Sequence, residues 1–87
     1  MKYYKYHWKE LRGDEYDGWG FSLFYFEVGE DNFYTRQIVI YDNGKILKYS
    51  EKRLEDEFGG LAEGKFDISE FNGIVCSKKE FDKYWNQ

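Results

Sequence analysis

Phe33-Tyr-Thr-Arg-Gln-Ile-Val-Ile-Tyr41-Asp-Asn-Gly44-Lys-Ile-Leu-Lys-Tyr49 is the stretch that decides the fold. Two runs rich in β-branched and aromatic residues flank Asn43-Gly44, a pair that reads as a type I′ hairpin because both of its central residues tolerate positive φ. Phe33 to Tyr41 is therefore expected to pair antiparallel with Lys45 to Tyr49. Upstream, Trp19 to Val28 is apolar on both faces near its middle, which points to a central strand. Gly29-Glu30-Asp31-Asn32 is a compact turn that returns this strand antiparallel to the next. By alternation Arg36 shares a face with Tyr34, Ile38 and Ile40, so its guanidinium pairs with a carboxylate, stacks on a ring or snorkels. The functional alternative is an anchor for a partner's carboxylate.

Working toward the N-terminus, Lys2-Tyr3-Tyr4-Lys5-Tyr6-His7-Trp8-Lys9 interleaves lysines with rings, the composition of a base-stacking platform. The spacing argues otherwise. In a strand Tyr4, Tyr6 and Trp8 point one way while Lys5, His7 and Lys9 point the other, so rings and cations are segregated. The reading is a first strand with its rings in the core and a wet lysine face, and no direct nucleic-acid binding.

Toward the C-terminus, Ser50 to Phe58 reads as a short helix with Leu54 and Phe58 on one face, stopped by Gly59-Gly60. Gly64 to Gly73 reads as a loop anchored by Phe66, Ile68 and Phe71. Ile74-Val75-Cys76 is a short strand. Ser77-Lys-Lys-Glu80 is a capping box opening a helix to about Asn86, with Phe81, Tyr84 and Trp85 on one stripe. The expectation is a single α+β domain, residues 1–87: a four- to five-stranded antiparallel curved sheet, a meander, with a C-terminal helix packed on one face. Gly18 and Gly20 at the entrance to the central strand fit an open half-barrel.

Eighty-seven residues bury a modest core, and 8 Phe, 9 Tyr and 3 Trp supply it efficiently. One cysteine permits no internal bridge and suits a reducing cytosol. Neither a signal peptide nor a run of about 20 apolar residues is present, so a soluble cytoplasmic protein without a membrane partner is expected. His7 and Cys76 are the only nucleophile-base candidates, and a strand histidine plus a core thiol explain both. No zinc, calcium or phosphate-loop spacing occurs, so neither catalysis, a metal nor a cofactor is expected. The net charge is −4, with acidic residues in two blocks, Asp14 to Asp31 and Glu55 to Glu70. Carboxylates among rings on the loop Glu10 to Trp19 have the composition of a surface for a basic protein.

The order Trp19, then Tyr34-Thr-Arg-Gln-Ile-Val-Ile-Tyr-Asp-Asn-Gly44, Glu57-Phe-Gly-Gly-Leu-Ala-Glu63 and Ser77-Lys-Lys-Glu-Phe-Asp-Lys-Tyr-Trp85 resembles a family of small uncharacterised bacterial domains. These are similar to single-domain immunity proteins of toxin systems, including contact-dependent growth inhibition. The resemblance implies a small, acidic, non-catalytic protein that neutralises a cognate toxin. A nuclease toxin must hold phosphate, so an acidic domain can take that place with electrostatically accelerated association. Asp14, Glu15, Tyr16, Asp17, Trp19, Glu30 and Asp31 are the expected contact surface, with Glu55, Asp56 and Glu57 in reserve, on a protein expected to be monomeric. Arg36, Gly44, Gly60, Leu61 and Trp85 are read as fold-defining. The alternative function is a small-ligand or anion-binding module using the open aromatic face of the sheet, with Arg36 as polar anchor.

Overall fold

The computed structural model describes residues 1–87. Strands β1 (Lys2–Trp8), β2 (Ser22–Val28), β3 (Tyr34–Tyr41) and β4 (Ile46–Ser50) form an antiparallel meander. A two-residue hairpin, β5 (Glu55–Asp56) and β6 (Gly59–Gly60), stands apart from it. Strand β7 (Ile74–Val75) adds to the free edge of β1, and helix α1 (Lys78–Trp85) closes the chain. The sheet order is β4-β3-β2-β1-β7, an open five-stranded sheet in an α+β fold.

Alternation sorts the sheet into two faces. Tyr3, Tyr25 and Ile38 meet Phe81 of α1 in one core cluster, with Leu23, Ile40, Tyr84 and Trp85 around it. The opposite face holds two further clusters, one of Val39, Tyr41, Leu47 and Tyr49 and one of Tyr4, Val28 and Phe66. The first strand's lysine face is wet only toward its end: Tyr3 is buried under the helix and Lys5 on that side donates to Glu80 at 2.8 Å, while His7 is exposed. Tyr4, Tyr6 and Trp8 do share a face, but burial falls along it and Trp8 is 41% exposed.

Four local expectations are corrected. Gly44 has φ 90° but Asn43 stays on the negative side, so the β3–β4 loop is not type I′. Gly44 N donates to Tyr41 O and Tyr41 N to Lys45 O, both at 2.9 Å, which makes a three-residue loop with glycine in the left-handed position. Ser50 to Phe58 is not helical, because the Asp56 carboxylate accepts from Phe58 N at 2.8 Å and Gly59 N at 3.2 Å and folds the segment back as β5–β6. Ile68, expected as a loop anchor, is exposed, as is Leu54, expected on the apolar face of that helix. A bulge at Glu27/Val28 sets Arg36 opposite Glu27 but Tyr34 opposite Val28. Thr35 is the extra residue, and Tyr34 is thereby turned to the face away from Arg36, against Phe26 and Phe66.

The capping box is only half formed. Ser77 Oγ accepts from Glu80 N at 3.0 Å, as at an N-cap. The Glu80 carboxylate turns inward, accepting from Lys5 Nζ and from Tyr25 OH at 2.6 Å. The helix start is thus tied to β1 and β2 across the sheet.

Candidate partner-binding site

The acidic loop between β1 and β2 is built by its own carboxylates. Gly13, at φ 80°, allows the chain to reverse, and Asp17 Oδ1 then accepts from Gly13 N at 2.6 Å and Asp14 N at 3.1 Å. Asp14 Oδ1 accepts from Tyr16 N at 2.8 Å, and Asp17–Trp19 closes as one 3-10 turn. Arg12 locks this loop onto the sheet. Its Nε meets Asp14 Oδ2 at 3.1 Å, Nη1 donates to Tyr41 OH at 2.8 Å and Nη2 to Phe58 O at 2.8 Å. The guanidinium also lies 5.3 Å from the Trp19 ring centre and 5.5 Å from that of Tyr16.

The β5–β6 hairpin is brought alongside. Phe58 sits at the hairpin tip, 5.3 Å from both Tyr16 and Trp19, while Trp19 reaches Tyr41 at 5.1 Å. Tyr16 and Trp19 are 4.7 Å apart. The result is a continuous aromatic cluster of Tyr16, Trp19, Phe58 and Tyr41, which Lys45 Nζ also approaches, 5.0 Å from Phe58 and 5.6 Å from Trp19. The Glu15 carboxylate, then burial and Glu57, raise the Tyr16 phenol's pKa.

The expected contact residues divide into three sets. Glu15, Glu55 and Glu57 are exposed and in no salt bridge. Asp14, Asp17 and Asp56 belong to the scaffold. Burial would raise the Asp56 pKa, but the bonds from Phe58 N, Tyr49 OH and Gly59 N outweigh it and hold the carboxyl below its usual range. Glu30 and Asp31 lie in the turn after β2, while Asp17–Trp19 precedes it. Strand rise puts the two ends roughly 25 Å apart, so these residues do not share the surface of Asp14 to Trp19. The reserve block at Glu55–Glu57 takes their place. Sequence reasoning missed Arg12 and Phe58; the lone cation in an acidic loop was the available signal for the first.

Arg36 is occupied within the fold. Its Nε and Nη2 meet Glu27 at 2.9 and 2.5 Å, and the guanidinium lies 4.8 Å from Phe81 and 4.9 Å from Trp85. It lies on the helix-covered face and so offers no anchor on the opposite, aromatic face. Cys76 N bonds Tyr3 O, four residues along β1 from His7, roughly 13 Å away. Burial, then Glu80, push the Cys76 thiol up to about 11. No three His, Cys, Asp or Glu side chains gather as a metal-binding group, and no helix is long and apolar enough to cross a membrane. No family model, curated protein or solved structure matches the chain.

Proposed function

We propose that this domain is an immunity-type inhibitor that binds a basic protein toxin, of nuclease class, in the cytoplasm through the acidic aromatic end formed by Asp14 to Trp19 and the β5–β6 hairpin. One observation carries the reading: Glu15 and Glu57, exposed and in no salt bridge, adjoin in sequence Tyr16 and Phe58 of a ring cluster that Arg12 and Asp56 tie to the sheet. Rigid rings offer contact area at low entropy cost, and unpaired carboxylates steer and then bond cations. Inhibition by occupying a phosphate-binding site requires no catalytic group of the domain's own.

Co-expression with each toxin-like product encoded beside this chain tests the reading by growth rescue and co-purification. Rescue by one neighbour is the expected result, and rescue by none removes the immunity function. With that partner in hand, Glu15→Lys with Glu57→Lys should slow association about tenfold at low salt and flatten its salt dependence, at unchanged melting temperature. Unchanged kinetics would move the interface elsewhere.

A further inference from the structure

Beside this acidic end the sheet face is left uncovered. The loop Arg12–Trp19 and the hairpin roof Tyr41 and Tyr49, and Phe66 and Phe71 roof Tyr4 and Phe26. Between the two roofs lies a cleft of about 230 Å³ lined by Trp8, Leu11, Phe24 and Tyr41, with Glu10, Asp14, Arg12 and Ser22. Trp8 is 41% exposed and Leu11 49%, in a domain whose other two tryptophans are packed against their neighbours. Trp8 is braced by Tyr6 at 6.0 Å, edge to face, and by Phe24 at 6.2 Å. Arg12, which also lines the cleft, spends three of its donors on Asp14, Tyr41 and Phe58, and Lys9 lines an adjoining pocket with Tyr6, Trp8 and Glu10. The cleft thus has an aromatic floor, an aliphatic wall at Leu11 and a free carboxylate, Glu10, at its rim.

We infer that this cleft receives one arginine side chain of the basic partner, its guanidinium stacked on Trp8 and its fork bonded to Glu10. This rests on the partner-binding reading and names the contact at its centre. The chemistry selects arginine: a planar, weakly hydrated cation stacks on indole and bonds a carboxylate through two parallel N–H groups, which an ammonium cannot do. An acidic or neutral side chain would leave Glu10 without a cation, since Asp14 already has Arg12. The cleft shares Asp14 with the acidic loop, so one partner surface can cover both.

The test uses N-acetyl-arginine amide and its neutral citrulline isostere as probes, titrated to about 50 mM against the whole domain while the tryptophan indole N–H signals are followed by NMR. Arginine should give a saturable shift at Trp8 with Trp85 unmoved, citrulline none, and Glu10→Gln should weaken arginine binding about three- to tenfold. No saturable shift at Trp8, or equal shifts with citrulline, overturns the proposal. Trp8→Ala, checked for an unchanged melt, should weaken the rescued complex at least about tenfold. If the domain rescues growth and both Trp8→Ala and Glu10→Gln bind as tightly as the parent, the cleft falls and the immunity reading stands. If no neighbour is rescued, the immunity reading falls and the probe titration still decides the cleft.

Discussion

Replacing Arg36 with methionine keeps an unbranched stem between Phe81 and Trp85 but withdraws the guanidinium, and this should cost about 3 to 4 kcal/mol. The Glu27 side chain is 5% exposed and accepts four bonds: from Tyr3 OH at 3.0 Å, Thr35 Oγ1 at 2.7 Å, Arg36 Nε at 2.9 Å and Arg36 Nη2 at 2.5 Å. Two of the four go with the substitution, and the remaining donors are neutral. Removing one partner of a buried pair costs about 3 to 5 kcal/mol, and the lower part of that range applies because Arg36 itself is 23% exposed. A domain of this length has about 4 to 13 kcal/mol in total, so a urea titration at pH 7 followed by tryptophan fluorescence should show a midpoint lower by about 2 M. The sign with pH is equally specific. Burial would raise the Glu27 pKa, but bonds from Arg36, Thr35 and Tyr3 outweigh it and hold the carboxyl low. Its stabilisation is therefore full above the unfolded carboxyl pKa and lost as pH falls through the folded value. In the variant burial prevails, the folded pKa lies above the unfolded one, and protonation relieves the strain. The stability gap between parent and Arg36→Met should then narrow from pH 7 to about 4.5, and adding Glu27→Gln should recover more than half the loss at pH 7. A loss under about 1 kcal/mol, a gap constant with pH, or an additive double variant would refute the reasoning.

Asp56→Ala removes the acceptor of Phe58 N, Gly59 N and Tyr49 OH and should cost about 2 kcal/mol, with amide protection lost at Phe58 and Gly59 first; protection retained there would show that the hairpin is held otherwise. Ser77→Ala should cost about 1 kcal/mol and fray the start of α1 in hydrogen exchange. Glu80→Gln should instead leave the first turn protected and loosen the helix from Lys5 and Tyr25; identical exchange patterns for the two variants would show that the half-formed box has no such division of roles. With its pKa pushed up to about 11 by burial and Glu80, the Cys76 thiol should react with iodoacetamide at pH 7.5 at least about tenfold more slowly than free cysteine, and an equal rate would contradict that environment.

The sheet was legible because strand signals are local. Patterning over residues 2–8, 19–28 and 33–41 and the glycine-bearing loop at Asp42-Asn43-Gly44 sufficed to place the four meander strands, but not the β5–β6 hairpin or the place of β7 beside β1. Failures occurred where a single side chain overrides the pattern. Leu54 and Phe58 lie four apart as in a helix, but the Asp56 carboxylate satisfies two backbone N–H groups in a turn and prevails. Alternation misplaced Tyr34 because Thr35 bulges, its hydroxyl drawn to Glu27. Of the site, the acidic loop could be read from composition, but its neighbours could not. Asp31 is close to Asp17 in sequence and a strand length away in space, whereas Phe58 is far in sequence and packs against Tyr16 and Trp19, its carbonyl bound by Arg12.

The two faces of the sheet use their charges differently, and that difference supports the proposed partner surface. Under the helix the charges are matched internally: Lys5 with Glu80, Arg36 with Glu27 and Asp82, Lys78 with Asp82. Around the acidic end the scaffold carboxylates Asp14, Asp17 and Asp56 are also satisfied, yet Glu15 and Glu57 are exposed and in no salt bridge, although Lys45 Nζ lies 5.0 Å from the Phe58 ring. Like charges gathered at one end repel, so the fold gains nothing from them. Solubility asks for charge but not for its concentration at one end of the domain, above a ring cluster. An external cation-bearing surface would turn that repulsion into attraction, which is the reason for proposing this end, and not the occupied Arg36 or the isolated His7 and Cys76, as the partner surface.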